Sequence, residues 1–502
     1  MMRLTGLTCA LCALELFAAV APRSTVAAGN VVAQVSGGTL VIIGDSASNQ
    51  LTIDQIGLGA LELRITPTGT TLNGVVSAAV FSGITGGVAA SLDAGDNTLV
   101  LDTAAVPGDL VVVGGAGSDV VLVTNCTIGG KAKADLAAGN NSFILTIGSA
   151  VGGGVELKAL DGADALIISD SGVAGKVSAQ LGDNTGTVVV DQGSLVAGSL
   201  DFTGGTDTDV LVMNNADVVG KVAAKLGGGA NTIIAQDGSI TGALDYSAGD
   251  GDDVLQVINN SIGGKMTAKL AEGTNTIVVN NGSSIAGALT LTAGAGSDQL
   301  NLATAEVVGK VSLKLGGGTN TVVAQSGSVI GGALGLETGA GDDVLVFNTS
   351  GIGGKITAKL GEGMNTLVVG NDSILGGKLD LTTGAGNDVV VVSNANVGGN
   401  IKANLGDGLN SAVFSIAGLG GALDVTSGNG NDTVVVTQTT ITKNVKVAAG
   451  DGTNFVVVTT SKVTGKVAIT TGNGDDTVDM TNSLIGGTTI VNAGGGMNTL
   501  LP

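Results

Sequence analysis

The sequence predicts an all-β protein, a right-handed parallel β-helix of about 18–20 coils with about 22–23 residues in each. Three observations predict this fold: a motif that recurs every 22 or 23 residues, strand-like alternation between the motifs, and an unusual composition. Of 502 residues, 87 are Gly and 4 are Pro, while 43 % are hydrophobic and 2 % aromatic. Small β-branched residues and frequent glycine suit short strands joined by tight turns. The absence of a three-residue Gly period excludes collagen, and the high apolar content argues against disorder.

The recurring motif is a glycine-rich turn that ends in Asp or Asn and is followed by an apolar run. GAGDDVLVF, with its turn ending at Asp343, represents the Asp form, and GGGTNTVVA, with Asn320, represents the Asn form. These anchor positions can be followed from 97 to 498 in steps of 22 or 23, with one blurred anchor between 164 and 209, where the chain reads LGDNTGTVVV. Asp and Asn coils alternate, so the full sequence period is about 44 residues.

The unit Gly309–Ile330 shows what one coil contains. GKVSLKL alternates in polarity, which predicts a half-buried strand with Val311, Leu313 and Leu315 on the inner face. GGGTN then predicts a turn, TVVAQ a second strand and SVIGG a third short strand. Three such strands bury a core only when each coil stacks on the next, about 4.8 Å away. The handedness of parallel crossovers favours a right-handed coil.

The chain divides into three predicted parts. Residues 1–28 read as a Sec-type signal peptide that ends in Val-Ala-Ala, which predicts a secreted or cell-surface protein. Residues 29–95 are more divergent and predict N-terminal coils and a cap, with anchors near Asn49 and Asn73. Residues 96–502 carry the regular repeats, and no other stretch is apolar and long enough to span a membrane. The last coil lacks a polar cap, which predicts end-to-end self-association.

The charge pattern limits the classes of molecule that the chain can bind. A formal net charge of −21 argues against nucleic acid and anionic membranes as ligands and favours solubility or divalent cations. A shift of one coil places Asp245 between the Lys221/Lys225 and Lys265/Lys269 pairs, which predicts an outer face of interleaved cations and carboxylates.

The GxGxDxUx core of the Asp turns resembles the calcium-binding repeats of RTX proteins, whose nonapeptides bind calcium in a parallel β-roll. The resemblance implies Ca²⁺ as a ligand, although here the motif occurs singly and alternates with Asn. Asp209, in GGTDTD, matches the motif less well. Asp252, Asp342 and Asp475 add a local carboxylate in three coils. The candidate metal ligands are Asp119, Asp253, Asp298, Asp343, Asp388, Asp432 and Asp476.

The alternative interpretation of the same positions is structural. A turn-lining Asn or Asp can bond backbone N–H groups and the side chain of the next coil, forming a ladder inside the turns. Asp would then accept hydrogen bonds from neighbouring Asn amides. The Asn members of this predicted turn ladder are Asn231, Asn275, Asn320, Asn365, Asn410, Asn454 and Asn498.

The residue inventory argues against an enzyme. Pectate lyases and polygalacturonases resemble this chain in architecture only, and their chemistry needs a unique cleft with a basic group or paired carboxylates. The chain has no His and no Trp, and its acidic clusters repeat. The overall pattern resembles large secreted bacterial repeat proteins and the rod-like passengers of adhesins. We therefore expect a non-catalytic structural or adhesive rod, with an RTX-like calcium module as the alternative and a polysaccharide lyase or hydrolase as a weaker one.

Overall fold

The computed structural model describes residues 29–502, which form an all-β parallel β-helix of about 19 turns without any helix. This confirms the predicted fold class and the number of coils; the right-handed sense stays a prediction. Each regular turn contributes one strand to each of three parallel sheets. The predicted signal peptide, residues 1–28, lies outside the described residues.

The strands of a sheet share one position in the coil and pair in register with the strands of the coils above and below. The first sheet contains Gly29–Ser36, Thr39–Ile43, Thr70–Leu72, Val88–Ser91, Leu110–Val113, Ala132–Asp135, Val155–Lys158, Val177–Gln180, Leu200–Thr203, Val222–Lys225, Leu244–Ser247, Met266–Lys269, Leu289–Thr292, Val311–Lys314, Leu334–Glu337, Ile356–Lys359, Leu379–Thr382, Ile401–Leu405, Leu423–Ser427, Val445–Ala448, Val467–Thr470 and Thr489–Asn492. The second contains Gln50–Asp54, Glu62–Pro67, Ala79–Ser82, Thr98–Asp102, Val120–Thr124, Ser142–Thr146, Asp164–Ser169, Gly186–Asp191, Val210–Asn214, Thr232–Gln236, Val254–Ile258, Thr276–Asn280, Gln299–Ala303, Thr321–Gln325, Val344–Asn348, Thr366–Gly370, Val389–Ser393, Ser411–Ser415, Thr433–Thr437, Phe455–Thr459, Thr477–Asp479 and Thr499–Leu501. The third contains Ala105–Val106, Thr127–Ile128, Ala150–Val151, Gly172–Val173, Leu195–Val196, Asp217–Val218, Ser239–Ile240, Ser261–Ile262, Ser284–Ile285, Glu306–Val307, Val329–Ile330, Gly351–Ile352, Ile374–Leu375, Asn396–Val397, Gly418–Leu419, Thr440–Ile441, Lys462–Val463 and Leu484–Ile485.

The inward side chains form continuous apolar columns along the rod. Val311 pairs in register with Leu289 in the coil before and Leu334 in the coil after. Val311, Leu313 and Leu315 are at most 3 % exposed, as the alternating pattern predicts. Each fully buried side chain of this kind contributes about 1.5–3 kcal/mol, and it can do so only because a neighbouring coil covers it. The largest fully buried side chains are Tyr246, Phe143, Phe202, Phe347 and Phe414.

The N-terminal strands depart from parallel stacking. Gly29–Ser36 pairs antiparallel with Thr39–Ile43, which in turn pairs parallel with Val88–Ser91, the first regular strand of its sheet. In the second sheet, Glu62–Pro67 pairs antiparallel with Gln50–Asp54 on one side and with Ala79–Ser82 on the other. These hairpins occupy the sheet edges at the N-terminal end of the solenoid. The predicted domain boundaries themselves stay predictions.

A left-handed backbone corner follows the second strand of every regular coil. Asn commonly occupies it, as at Asn125 (φ 52°) and Asn394 (φ 47°), because its side chain tolerates this region. Ile147 and Ile416 adopt the same conformation, with φ of 53° and 49°. A β-branched residue is strained there, because its Cβ approaches the following carbonyl oxygen. This corner was not foreseen from the sequence.

Replacing the strained isoleucine should stabilise the rod. Ile416 is 60 % exposed, so Ile416→Asn removes backbone strain without emptying the core. We expect the free energy of unfolding to rise by about 1 kcal/mol, measured by urea denaturation. Ile374, 59 % exposed and inside a strand, provides the control, because Ile374→Asn should not stabilise the fold. Equal changes in the free energy of unfolding at both positions would contradict the conclusion that the backbone of Ile416 is strained.

Candidate functional site

The glycine-rich turns bring their Asp and Asn side chains into one buried column between the first and second sheets. The backbone N–H of each member donates to Oδ1 of the next member, except at Asp164, whose N–H donates to the Thr185 carbonyl oxygen, and at Asn498 in the last coil. Asp298 N–H donates to Asn320 Oδ1 at 3.1 Å, and Asn320 N–H donates to Asp343 Oδ1 at 3.0 Å. All the predicted ligands and ladder residues lie in this column, buried except for Asn498 in the last coil. Its members are Asn49, Asn97, Asp119, Asn141, Asp164, Asp209, Asn231, Asp253, Asn275, Asp298, Asn320, Asp343, Asn365, Asp388, Asn410, Asp432, Asn454, Asp476 and Asn498.

An Asn in the column also closes its own turn. Asn320 Nδ2 donates to the carbonyl oxygens of Gly316 at 3.1 Å and Gly318 at 3.2 Å, and to Asp343 Oδ1 at 2.9 Å. Gly318 adopts a φ of +107°, which only glycine tolerates, so that its carbonyl can face the amide. The amide therefore satisfies acceptors inside the turn where water has no access.

An Asp in the column leaves one carboxyl oxygen without a partner. Its Oδ1 accepts the backbone hydrogen bond just as an Asn Oδ1 does, so Oδ2 takes the place of Nδ2 beside the turn carbonyls. That oxygen cannot donate unless it is protonated. An open carboxylate oxygen in such a place carries a desolvation penalty. Oδ2 is buried without a hydrogen-bond partner in Asp119, Asp164, Asp209, Asp253, Asp298, Asp343, Asp388, Asp432 and Asp476.

Burial raises the pKa of seven ladder carboxyls, and the residue five positions earlier differs among them. The seven are Asp119, Asp164, Asp209, Asp253, Asp298, Asp343 and Asp432. Desolvation raises the pKa of Asp119 and Asp209 to about 6. Both have glycine at that earlier position, and a Cβ on Gly114 would lie 2.0 Å from Asp119 Oδ2. Burial also raises the pKa of Asp343, but there the hydroxyl of Thr338 lies beside the carboxyl and opposes the increase.

The same hydroxyl position recurs near the C-terminal end of the rod. Thr383, Ser427 and Thr471 place buried hydroxyls five residues before Asp388, Asp432 and Asp476. Burial raises the pKa of Asp432, and the Ser427 hydroxyl opposes that increase. Asp119 and Asp209 have glycine in place of this hydroxyl, so no side chain at that position opposes the increase in their pKa.

The structure locates the undefined anchor and corrects one predicted member, Asn73. The blurred anchor is Gly186, whose N–H donates to Asp209 Oδ1 at 2.8 Å although it has no side chain to continue the ladder. Asn73 is not a member, because its side chain bonds the backbone of Ala33 instead. Asn49 connects directly to Asn97, 48 residues further on. The hairpins at the N-terminus insert the extra residues.

The ladder carboxylates do not assemble the shell that the RTX resemblance implies. Calcium takes six to eight oxygen ligands, whereas successive ladder aspartates are two coils, about 9.6 Å, apart. The added carboxylates are engaged as well: Asp252 Oδ1 accepts the Thr274 N–H at 2.7 Å, and Asp342 Oδ1 accepts the Met364 N–H at 2.7 Å. Within residues 29–502, no three or more Asp, Glu, His or Cys side chains are placed to hold one metal ion. A cation beside a ladder aspartate would have that one carboxylate and the carbonyl oxygens of the turn as its ligands.

A second internal ladder, which sequence reasoning missed, follows the left-handed corner. Ser283 Oγ accepts the Asn260 N–H at 3.2 Å and donates to the carbonyl oxygens of Asn280 at 2.6 Å and Val257 at 3.1 Å. Cys126 lies in the same column; its Sγ accepts the Ala104 N–H at 3.4 Å. The cysteine is buried, and burial raises the pKa of its thiol. The remaining hydroxyl members that accept this bond are Ser149, Ser194, Ser328, Ser373, Ser461 and Ser483.

Adjacent serines in one coil allow this ladder to be tested. Ser283 is fully buried, whereas Ser284 faces outward and bonds Ser261 Oγ at 3.3 Å. Ser283→Ala should lower the free energy of unfolding by about 1–3 kcal/mol, because it leaves a buried N–H unpaired. Ser284→Ala, the matched control, should change it by less than about 0.5 kcal/mol. Urea denaturation of both variants measures the difference, and similar losses would contradict a ladder role for Ser283.

The predicted interleaving of charges on the outer face of the first sheet is confirmed. The Asp245 carboxylate lies between Lys221 Nζ at 2.7 Å and Lys265 Nζ at 3.7 Å. The lysines are exposed and Asp245 is half-buried at the surface, so each pair contributes only about 0–1 kcal/mol.

Comparisons with known protein families, curated proteins and solved structures found no match. Among residues 29–502, none forms a helix with the length and apolar character needed to cross a bilayer.

Proposed function

We propose that this chain is a non-catalytic structural or adhesive rod that works outside the cell or at its surface. The observation that carries the proposal is the unbroken stack. From Val88–Ser91 onward, parallel pairing continues in steps of 22 or 23 residues to the last strand of each sheet. About 19 turns at about 4.8 Å each give a rod on the order of 90 Å long.

The surface of the stack supports this role. The regular coils keep the same three strands and the same turns, and catalytic and binding loops usually interrupt such a repeat. Hydrogen-bonded ladders run through the interior at two corners, which fixes neighbouring coils relative to each other. Export by the segment 1–28 belongs to the proposal. Self-association of the rods stays a prediction that sedimentation velocity would test.

Location and length can be tested together. Antibody labelling and protease treatment of intact producing cells should detect the chain at the surface or in the medium.

A variant lacking residues 299–343, two coils, should shorten the rod by about 10 Å in small-angle scattering while keeping the Asp/Asn alternation. Loss of the chain should weaken attachment or envelope cohesion. A cytoplasmic location, or a catalytic activity of the purified chain, would overturn the proposal.

A calcium-binding module is the second candidate. The observation that favours it is the open Oδ2 of the ladder aspartates. Titration with Ca²⁺ and then with EGTA, followed by circular dichroism and melting, tests it. A calcium-linked rise in melting temperature that Asp119→Asn/Asp209→Asn reduces would support this candidate, and an unchanged melting curve would remove it.

A further inference from the structure

The lysines are gathered on one side of an otherwise acidic rod. In residues 29–502, every lysine except Lys443 and Lys462 lies on the outer side of the first sheet or directly before one of its strands. The concentration is highest over seven consecutive strands, from Val222–Lys225 to Ile356–Lys359. There the acidic residues are Asp245 and Glu337. We call this surface the basic face; its lysines are Lys221, Lys225, Lys265, Lys269, Lys310, Lys314, Lys355 and Lys359.

The basic face is a straight trough. Its lysines form two columns along the rod, about 13 Å apart across the strand, and each column repeats at about 9.6 Å because alternate coils carry the pairs. Between the columns, in-register pairing aligns small, half-buried side chains, so the floor is shallow and the ammonium groups form its walls. Apart from Asp245, the floor consists of Ala223, Thr267, Thr290, Ser312, Gly335 and Thr357.

Most of these ammonium groups have no carboxylate partner. Lys221 and Lys265 share Asp245, but within the described part of the chain no ion pair involves the other six lysines of the basic face. All eight side chains are exposed. Glu337 lies in register between Lys314 and Lys359. The lysines of the basic face, about 29 Å long, still outnumber its carboxylates and create a local positive potential within a Debye length of about 8–10 Å. On the adjoining turn, Glu272 and Glu362 follow Lys269 and Lys359 by three residues.

We propose that the basic face binds a linear acidic polysaccharide that lies along the trough. Carboxylate or sulfate groups would pair with the two lysine columns, and sugar hydroxyls would meet the Thr and Ser floor. This inference names the partner class of the proposed surface rod and rests on that function. Nucleic acid fits less well, because the basic face has no arginine and no aromatic side chain on which bases could stack.

The occupant matches the surface in shape as well as charge. A straight, evenly spaced polyanion can contact the lysine pairs of alternate coils with one geometry. A globular acidic protein would meet only part of the trough. A second copy of this chain could offer its acidic turns, but the net charge of −21 opposes close approach of two rods.

The test measures binding of the purified chain to immobilised polygalacturonate, with neutral dextran as the reference surface. Lys269 and Lys314 belong to no ion pair in the described structure, so Lys269→Gln/Lys314→Gln removes two charges without breaking one. We expect about tenfold weaker binding from it. Lys443→Gln/Lys462→Gln changes the net charge equally away from the basic face and should bind like the wild type. Glu337→Lys fills a gap in one column and should tighten binding about fivefold.

The outcomes separate the alternatives. The proposal is supported if binding weakens steeply between about 50 and about 200 mM salt and if the three variants change the affinity as expected above. Equal effects of the two lysine double variants on binding would overturn the proposal. Tighter binding to single-stranded DNA than to polygalacturonate would also overturn it. So would salt-sensitive self-association of the chain without polysaccharide binding. Circular dichroism and urea denaturation confirm that each variant folds. A cytoplasmic location would contradict the proposed function alone, since this binding is measured on the isolated rod.

Discussion

The free energy of unfolding should fall as the pH rises from about 4 through about 6. Asp119 and Asp209 have folded-state pKa values of about 6, raised by burial above the usual 3.8. The folded chain therefore binds more protons than the unfolded chain in this window. The stability that these two protonated carboxyls contribute is fully present below pH 3.8 and is lost as the pH rises through about 6. A shift of this size corresponds to about 3 kcal/mol for each group. Urea denaturation at a series of pH values measures the loss.

Asn variants isolate the two carboxyls from the general charge of the rod. In Asp119→Asn, the new Nδ2 can donate to the carbonyls of Gly115 and Gly117, as Asn141 Nδ2 donates to those of Ala137 and Gly139 at 2.9 Å. We expect Asp119→Asn/Asp209→Asn to be more stable than the wild type at pH 7.5, by about 2–6 kcal/mol, and to lose most of the pH dependence. The matched control is Asp388→Asn, where Thr383 supplies a buried hydroxyl and the gain should be smaller. An unchanged pH profile in the double variant would contradict the assignment.

Asn320→Leu should be among the most damaging single substitutions in the chain. It removes the donor to the Gly316 and Gly318 carbonyls and to Asp343 Oδ1, and the acceptor for the Asp298 N–H. Four hydrogen bonds at about 1 kcal/mol each predict a loss of about 4 kcal/mol or more, since the abandoned groups are buried. Urea denaturation or thermal melting at pH 7.5 would show it.

Two further variants test whether lost hydrogen bonds cause the destabilisation expected for Asn320→Leu. Asn498→Leu makes the same change in the last described coil, where the side chain is only half-buried, and should cost much less. Asn320→Asp preserves shape but places three carboxyls in succession with Asp298 and Asp343. It should be destabilising at pH 7.5 and much less so at pH 4, where protonation restores a donor. A pH-independent loss in Asn320→Asp would argue for a steric explanation.

The repeat could be predicted in detail because its signal is redundant. The alternation in GKVSLKL and the runs TVVAQ and SVIGG correspond to the strands Val311–Lys314, Thr321–Gln325 and Val329–Ile330. Many copies of the motif at constant spacing also fixed which Asp and Asn positions align. One coil of this sequence in isolation would not have distinguished a solenoid from a meander of hairpins.

The missed features depend on backbone geometry that side-chain patterns do not encode. Ser283 lies in the stretch NNGSS, whose composition is typical of a turn, yet the N–H of Asn260 in the preceding coil donates to its hydroxyl inside the rod. The left-handed conformation at Ile147 contradicts residue preference and is imposed by the stacked coils. The open Oδ2 atoms result from the turn geometry that Asn and Asp share, which the side-chain pattern does not encode.

The alternation of Asn and Asp restricts how such a chain can grow. Duplicating one Asp coil would set two open carboxyls side by side about 4.8 Å apart, and their repulsion in a desolvated turn would penalise the longer chain. Duplicating an Asn–Asp pair restores the original neighbours at both junctions. Two Asn coils can lie side by side, as Asn49 and Asn97 do, so a gene encoding this protein can gain an Asn coil or an Asn–Asp pair, whereas an added Asp coil alone is penalised. Gly186, which carries no ladder side chain, is the place where that rule can be relaxed.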